Sequence, residues 1–250
     1  MIQNLMFTFS KYFKNFGIIF FFFLAIIPII AAPSDLPEIL YIPIGDSYTI
    51  GTGVTPNHAW PNLLVDHLNS KGIPIKLLAN PAHAGWTTKE ALEKELPIFE
   101  SLNPTFATLL IGANDYYQGV DAQTFRTRLV QILDRMTAKL PQKNHLVVVT
   151  IPDFSITPTG RQFHPERKVS AQINQFNNII KEEARSRGLA VADLFEISQG
   201  MEKDPSLVCP DGMHPSFKEH VLWEEVIFSK VWAVLKNRPP LNSATASPHQ

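Results

Sequence analysis

Apolar runs of strand length alternate with amphipathic stretches of helix length along most of the chain. Five apolar runs are short and are bounded by Gly, Pro, Asn or Asp, the residues that commonly end strands. The run LVVVT, residues 146–150, is apolar at consecutive positions, which is typical of a strand buried on both faces of a parallel sheet. We therefore predict five strands, at residues 39–44, 75–79, 105–111, 145–151 and 189–193.

The stretches between these strands carry apolar residues three and four positions apart, a spacing that places them on one face of a helix. Strands that alternate with helices are typical of the α/β class, in which helices cover a parallel sheet. No internal repeat and no second folded domain are evident, so we expect one domain over residues 33–237. The pattern predicts helices around residues 60–68, 91–99, 125–136 and 169–180, and a last helix over about 217–235.

The two ends of the chain differ from this pattern. Lys11 and Lys14 precede an almost wholly apolar run, residues 16–32, that closes on small residues, which is the order of a secretory signal peptide. We expect residues 1–32 to be a signal peptide or, alternatively, an N-terminal membrane anchor. The protein is then exported, periplasmic or secreted, or associated with the membrane through this segment. Residues 238–250 are rich in Pro, Ser and Ala and are expected to be a disordered tail.

Composition narrows the choice of partners. The 250 residues are 45% apolar and 18% charged with a formal net charge of −1, so the basic surface that nucleic acid requires is absent and no nucleic-acid partner is expected. Cys209 is the only cysteine, which excludes an intramolecular disulfide. It could be a nucleophile, but we interpret it as a small buried spacer.

A serine follows the first predicted strand directly, within Gly45-Asp46-Ser47-Tyr48. Ligands of parallel sheets bind beyond the carboxyl ends of the strands, where this turn presents the Ser47 hydroxyl. Gly-Asp-Ser is also a common turn sequence, so the motif alone does not identify a nucleophile.

A serine nucleophile needs a base, best supplied by an imidazole that a carboxylate orients. Asp211 and His214 lie three residues apart, on a turn that contains Gly212 and leads into the last helix, so they can come within hydrogen-bond reach. The alternative is that this turn only caps the helix. Other histidines, at 58, 83 and 145, are alternative bases; His145 opens a strand and His58 lies in a polar turn, so neither is favoured, whereas His83 is near Gly85 and could line the pocket.

Acyl transfer also needs hydrogen-bond donors for the developing oxyanion, each typically worth ~3 kcal/mol. Asn114 follows the third strand within Gly-Ala-Asn-Asp and offers a side-chain amide, and Gly85 offers an unobstructed backbone N–H. With the N–H of Ser47 they make three donors. Each could also be an ordinary turn residue.

Together these motifs resemble the SGNH hydrolases, also called GDSL esterases and lipases. GDSY at 45–48, Gly85, GAND at 112–115 and DGMHPS at 211–216 are similar to the four blocks of the family and occur in the same order. The resemblance spans about residues 39–235. It implies a flavodoxin-like three-layer α/β/α sandwich with a five-stranded parallel sheet, and ester hydrolysis without metal or other cofactor. It further implies a catalytic triad of Ser47, Asp211 and His214 and an oxyanion hole of Ser47, Gly85 and Asn114.

Four further expectations concern residues near these blocks. Tyr48 stands where many members have Leu, a departure that leaves the chemistry intact. We interpret Asp46 and Asp115 as turn-stabilising and not catalytic. The irregular stretch 152–165 is a candidate loop over the site, in which Arg161 and His164 either touch substrate or form a solvated face.

The sequence predicts a serine esterase or lipase acting on a small-molecule or lipid ester. Aromatic residues at 86, 116 and 117 suggest an apolar face for an acyl chain, although aromatic side chains also stack on sugars. The alternatives are a carbohydrate O-deacetylase or an acyltransferase with the same triad, and a non-catalytic binding module on the same fold. A nucleotide-binding domain is disfavoured because no G-x-G-x-x-G or P-loop follows the first strand.

Overall fold

The computed structural model describes residues 37–163 and 169–236. All five predicted strands form, some of them shorter than predicted because the hydrophobic pattern extends beyond the paired residues. They build one sheet in the order β2-β1-β3-β4-β5, and every neighbouring pair is parallel. The strands are β1 Ile39–Gly45, β2 Ile75–Leu77, β3 Phe106–Leu110, β4 Leu146–Val149 and β5 Ala190–Ala192.

The middle of the sheet is buried on both faces, as its hydrophobic runs predict. Every residue of β3 and β4 is buried. The register pairs Tyr41 with Phe106 and Gly45 with Leu110, so β1 and β3 end at the same edge of the sheet. The loops that follow these two strands, which carry the candidate residues, are thereby brought side by side.

Helices and single helical turns connect the strands. The four longest are found close to their predicted positions, and the last begins and ends at the predicted residues. The helix predicted at 91–99 is a π-helical turn, Ala91–Glu95, that continues into the short helix Leu96–Ser101, and a further short helix, Thr88–Glu90, precedes it. The helices are α1 Ser47–Ile50, α2 Trp60–Ser70, α3 Thr88–Glu90, α4 Leu96–Ser101, α5 Ala113–Tyr117, α6 Ala122–Lys139, α7 Gly160–Phe163, α8 Val169–Ser186, α9 Phe195–Ser198 and α10 Phe217–Leu235.

The helices pack in two groups. Helix α2 contacts α10, and α6 contacts α4 and α8. Because crossovers between parallel strands are right-handed and the strand order reverses at β1, these two groups cover opposite faces of the sheet. The strand order and the two helical layers confirm the predicted flavodoxin-like α/β/α sandwich, and the reversal at β1 is where ligands bind in such folds.

The predicted leader, residues 1–32, and the predicted tail, residues 238–250, lie outside the described residues. Within 37–163 and 169–236, no helix is both long and apolar enough to cross a membrane.

Candidate active site

Ser47 lies where the sequence predicts it, on the turn that leaves the sheet. It is the first residue of α1, directly after β1, and it is buried apart from 8% of its surface. Asp46 caps this helix, since its Oδ1 accepts a hydrogen bond from the N–H of Tyr48 at 3.0 Å. This confirms the turn-stabilising role expected of Asp46. Burial is the main cause that raises the pKa of Asp46 to about 7.

The carboxyl group of Glu95, which no sequence motif marks, supports the turn that carries Ser47. Oε2 of Glu95 accepts a hydrogen bond from the N–H of Gly45 at 2.9 Å, whereas Oε1 is buried without a partner among the described residues. Burial raises the pKa of Glu95 to about 9, so the carboxyl group is protonated and neutral near pH 7. The residue closes the π-helical turn before α4.

Asp211 and His214 form the predicted pair. Nδ1 of His214 lies 2.7 Å from Oδ2 of Asp211, and Oδ1 of the same carboxylate accepts hydrogen bonds from the N–H groups of Met213, at 2.9 Å, and His214, at 3.0 Å. Partial burial acts to raise the pKa of Asp211, but these hydrogen bonds outweigh it and hold the pKa below its ordinary value. The carboxylate therefore stays charged and fixes the imidazole so that Nε2 is free to accept a proton.

Asn114 and Gly85 lie beside each other on neighbouring loops. Nδ2 of Asn114 donates a hydrogen bond to the carbonyl oxygen of Trp86 at 2.9 Å and lies 3.5 Å from Oδ2 of Asp46. Gly85 has a φ of +85°, and a Cβ there would meet nothing within 4 Å, so the space beside its Cα is open.

A cavity of about 270 Å³ joins these residues. Ser47 and His214 line this cavity together with Asn114 and Gly85. Asp211 does not line it but contacts the imidazole of His214. The remaining lining is apolar or aromatic, and Phe154 comes from the long loop expected over the site. The lining residues are Ser47, Tyr48, Ala84, Gly85, Ala113, Asn114, Tyr117, Phe154, Met213 and His214.

Tyr48, the departure from the family pattern, packs against the histidine of the pair. Its ring centroid lies 5.9 Å from that of His214 and 5.6 Å from that of Trp223. The carbonyl oxygen of Tyr48 accepts a hydrogen bond from the indole N–H of Trp60 at 3.0 Å. Tyr48 thus connects the turn of Ser47 to the aromatic core under α10.

The other candidate bases are not among the residues that line the cavity. His58 stacks on Phe217 with ring centroids 4.1 Å apart, and His83 stacks on Trp86 at 4.7 Å. His145 is buried at the start of β4, with Nδ1 3.1 Å from the carbonyl oxygen of Thr105. Each has a structural contact, and the suggestion that His83 lines the pocket is wrong.

Cys209 is a buried spacer, as interpreted from the sequence. Its Sγ lies 3.2 Å from the carbonyl oxygen of Pro215 and 3.4 Å from that of Gly53. Burial, aided by the nearby charge of Asp211, raises the pKa of the thiol and so disfavours the thiolate that a nucleophile requires.

Asp115, like Asp46, has a structural role. It does not stabilise its own turn but the start of helix α3. Its Oδ2 accepts a hydrogen bond from the N–H of Thr88 at 2.8 Å, and its Oδ1 binds the hydroxyl of the same residue. It therefore holds the start of α3 against α5. Burial, the largest influence, raises its pKa.

The expected aromatic face and loop contacts are only partly present. Tyr117 lines the cavity, but Tyr116 is buried and donates a hydrogen bond to Oε1 of Gln172 at 2.7 Å, and Trp86 contributes its carbonyl oxygen to Asn114. Arg161 forms an exposed ion pair with Glu202 at 2.8 Å, which matches the solvated alternative. His164 lies outside the described residues.

No group of three or more His, Cys, Asp or Glu in the described parts of the chain is arranged to hold a metal ion. The arrangement that is present, a hydroxyl, an imidazole paired with a carboxylate, and hydrogen-bond donors around one cavity, is suited to acyl transfer through a serine nucleophile.

The sequence matches the model of the GDSL-like lipase/acylhydrolase family over residues 44–220. This match covers more than half of the chain, so the chain belongs to that family, and the predicted resemblance is confirmed. Because the family consists of lipases and acylhydrolases, this membership supports the conclusion that the chain is an ester-hydrolysing enzyme.

Relatives and solved structures agree with this assignment. The chain is 30% identical over 118 residues to thioesterase 1/protease 1/lysophospholipase L1 of Escherichia coli (strain K12), an alignment that covers 47% of this chain and 53% of the relative. The chain thus spans about half the length of this curated relative.

Solved structures of other proteins share the fold. The lipase/acylhydrolase from Enterococcus faecalis is 23% identical, with a TM-score of 0.62, over 80% of this chain and 99% of that one. The Clostridium thermocellum family 3 carbohydrate esterase is 19% identical, with a TM-score of 0.64, over 80% of this chain and 98% of that one. At these identities the likeness shows the fold, which is the predicted SGNH hydrolase fold.

Proposed function

We propose that this chain is a serine esterase that hydrolyses carboxylic acyl esters through an acyl-enzyme intermediate. The observation that carries the proposal is the 2.7 Å contact between His214 and Asp211, together with the cavity that His214 shares with Ser47. A histidine oriented by a carboxylate, beside a serine at the carboxyl end of a strand, is the arrangement that serine hydrolysis requires.

In the acylation step, Oγ of Ser47 attacks the ester carbonyl carbon, and Nε2 of His214 takes the hydroxyl proton. The carbonyl oxygen becomes an oxyanion, for which the N–H groups of Ser47 and Gly85 and the amide of Asn114 serve as donors. The C–O bond to the alcohol then breaks, and His214 returns the proton to the departing alcohol. Asp211 stabilises the imidazolium throughout.

In the deacylation step, a water molecule replaces the alcohol. His214 removes a proton from this water, which attacks the acyl carbon, and the acid leaves as Ser47 recovers its proton. Phe154 and Tyr48 shield one side of the cavity, and Tyr117, which is 42% exposed, stands at its open side. Through this open side, the alcohol can leave the cavity and water can enter it while the sheet stays in place.

The lining of the cavity supports an acyl ester with a mainly apolar acyl chain as substrate, either a lipid or a short-chain acyl ester. Except for the reacting groups, the lining carries no charged side chain. Apolar walls with a few polar groups are typical of small-molecule sites. A carbohydrate O-deacetylase or an acyltransferase would use the same triad and differ in the acceptor.

We further propose that the protein is exported. The proposal rests on the sequence of residues 1–32, in which lysines precede an apolar run that ends in small residues. N-terminal sequencing of the protein recovered from the producing cells tests it. A mature end near residue 33 supports cleavage, an intact N-terminus in the membrane fraction supports the anchor, and an intact N-terminus in the cytosol contradicts export.

Hydrolysis of p-nitrophenyl esters, from acetate to octanoate, tests the esterase proposal. We expect Ser47→Ala and His214→Ala to lower kcat on the order of 10⁴-fold or more. Ser70→Ala and His58→Ala are matched controls, since both residues lie outside the cavity lining and make surface contacts. Equal rates in wild type and Ser47→Ala would contradict the proposal and favour the binding module. Activity restricted to acetate would favour the deacetylase.

A further inference from the structure

The cavity lining includes a buried tyrosine, Tyr48, whose hydroxyl group has no part in the proposed mechanism. Tyr48 lines the cavity, and only 4% of its surface is exposed. In residues 37–163 and 169–236, four fully enclosed polar side-chain atoms lack a hydrogen-bond partner, and the hydroxyl of Tyr48 is not one of them. No residue in those ranges hydrogen-bonds to this hydroxyl either. Its oxygen is therefore unpaired and accessible, on a residue that lines the cavity.

The ring packs between two aromatic neighbours. It is held between His214 and Trp223, with centroid distances of 5.9 and 5.6 Å. The backbone is fixed as well, because the N–H of Tyr48 binds Asp46 and its carbonyl oxygen binds Trp60. A hydroxyl on a rigid side chain loses little conformational freedom when it binds a ligand.

The hydroxyl stays protonated, so it can donate as well as accept a hydrogen bond. Burial, with the charges of nearby carboxylates as a smaller cause, raises the pKa of Tyr48 well above its ordinary value. A group with both capacities can pair with either a hydroxyl or a carbonyl oxygen of a ligand.

The burial of the lining residues indicates which part of the substrate meets this phenol. Tyr48, Ala113 and Phe154 are buried, whereas Gly85 and Tyr117 are exposed, so the cavity has a closed side and an open side. The alcohol must leave and water must enter by the open side. The acyl group remains on the serine and occupies the closed side, where the phenol lies.

We propose that Tyr48 determines acyl specificity and that the cavity takes acyl esters whose acyl chain carries an oxygen, as a hydroxyl or keto group. This inference rests on the esterase activity proposed above. An unsubstituted chain on the closed side would displace water from the phenol and leave its hydroxyl unpaired, which is unfavourable. A chain with an oxygen restores the hydrogen bond. The Leu that many family members have at this position has no such group.

The test compares p-nitrophenyl butyrate with p-nitrophenyl 3-hydroxybutyrate as substrates of the full chain. The readout is the ratio of kcat/KM for the hydroxy ester to that for the butyrate. We expect a ratio of about tenfold or more in the wild type, because a site that pairs a substrate hydroxyl discriminates against its absence. In Tyr48→Phe we expect the ratio to fall to about one, with loss of the hydrogen bond.

Tyr117→Phe is the matched control, since Tyr117 is the other tyrosine of the cavity lining. It should keep the wild-type ratio. A structural role of Tyr48 would lower kcat/KM for both esters in parallel and leave the ratio unchanged, which would overturn the inference. A ratio that falls in Tyr117→Phe and not in Tyr48→Phe would overturn it as well.

Recognition on the alcohol side is tested with glycerol monobutyrate and propyl butyrate. If Tyr48→Phe selectively weakens hydrolysis of the glycerol ester, the phenol binds the alcohol, and the acyl assignment is wrong. Binding of methyl 3-hydroxybutyrate and methyl butyrate to Ser47→Ala, followed by NMR, needs no turnover. A preference for the hydroxy ester that Tyr48→Phe abolishes supports the inference even if neither nitrophenyl ester is hydrolysed. Equal binding of both methyl esters overturns it.

Discussion

The side-chain amide of Asn114 donates a hydrogen bond to the carbonyl oxygen of Trp86 across 2.9 Å. This contact fixes the amide, which the proposed mechanism uses as an oxyanion donor, to the loop that carries Gly85. This hydrogen bond, between the loops after β2 and β3, holds two of the three proposed donors relative to each other. Preorganised donors of this kind stabilise the charge that develops in the transition state.

Replacement of Asn114 by Ala should therefore lower kcat by about 10²–10³-fold, with a smaller effect on KM. Gln118→Ala is a matched control, because Nε2 of Gln118 donates to the carbonyl oxygen of Gly85 at 3.2 Å from outside the cavity lining. This variant loosens the same loop without removing an oxyanion donor, and it should retain most of kcat. Steady-state kinetics with one ester gives kcat and KM for both variants, so that their losses can be compared. Equal losses would mean that Asn114 acts only by holding the loop.

Cys209 should be dispensable and unreactive in the native protein. Its thiol is buried and its pKa is raised, so a thiol reagent should label it only after unfolding. Cys209→Ala should keep its esterase activity. Absorbance-monitored labelling with an aromatic disulfide, with and without denaturant, measures this directly. Rapid labelling of the native protein with parallel loss of activity would show that the cysteine belongs to the site.

Glu95 should make stability depend on pH. Its pKa is about 9 in the folded protein and near the ordinary 4.5 in the unfolded chain. Between these values the unfolded chain loses a proton that the folded protein keeps, so the free energy of unfolding falls as pH rises, by up to about 1.4 kcal/mol per pH unit. Glu95→Gln mimics the neutral carboxyl group and should remove the part of the slope that Glu95 contributes, leaving the part from other buried carboxyl groups such as Asp46.

Urea denaturation of wild type and Glu95→Gln, at intervals from pH 5 to pH 9, measures the difference. Glu100→Gln is the control, because the hydrogen bond from Arg135 lowers the pKa of Glu100 and that carboxylate is already charged over this range. Its stability should follow the wild-type pH slope. Parallel curves for wild type and Glu95→Gln would mean that Glu95 is ionised in the folded state.

Gly112, which precedes the candidate donor Asn114, should not tolerate a side chain. Its φ is +125°, and a Cβ would lie 2.8 Å from side-chain atoms of Ile151 and Phe125. Gly112→Ala therefore combines backbone strain with overpacking and should cost about 2–4 kcal/mol. Gly119→Ala has a positive φ but open space, so it isolates the strain and should cost about 1 kcal/mol. Equal losses of stability in urea would contradict the steric account.

Much of the fold follows from local patterns in the sequence. Helix α10 has its predicted bounds because Ser216 caps its first turn and the hydrophobic spacing continues to its last residue. The strands are found because consecutive apolar residues mark burial on both faces. Ser47 and the pair Asp211 and His214 could be predicted because their motifs follow strands or precede a helix at fixed spacing.

The rest depends on contacts between distant segments. Phe154 reaches the cavity from a loop whose path its own sequence does not determine, and Tyr48 meets His214 only after α10 packs on the sheet. The sequence position of Glu95 does carry a signal. It lies four residues after Ala91 and four before Phe99, on the apolar face of the predicted helix, where a carboxyl group must find a partner or remain protonated.

The central claim is that Ser47 is the nucleophile, and covalent trapping tests it most directly. A p-nitrophenyl alkylphosphonate releases nitrophenol as it forms a stable phosphonyl ester that resembles the tetrahedral intermediate. Mass spectrometry of the intact protein and its peptides should find one adduct, on Ser47, in wild type, slow labelling in His214→Ala and no adduct in Ser47→Ala. An adduct on another residue, or labelling of Ser47→Ala at the wild-type rate, would contradict the account.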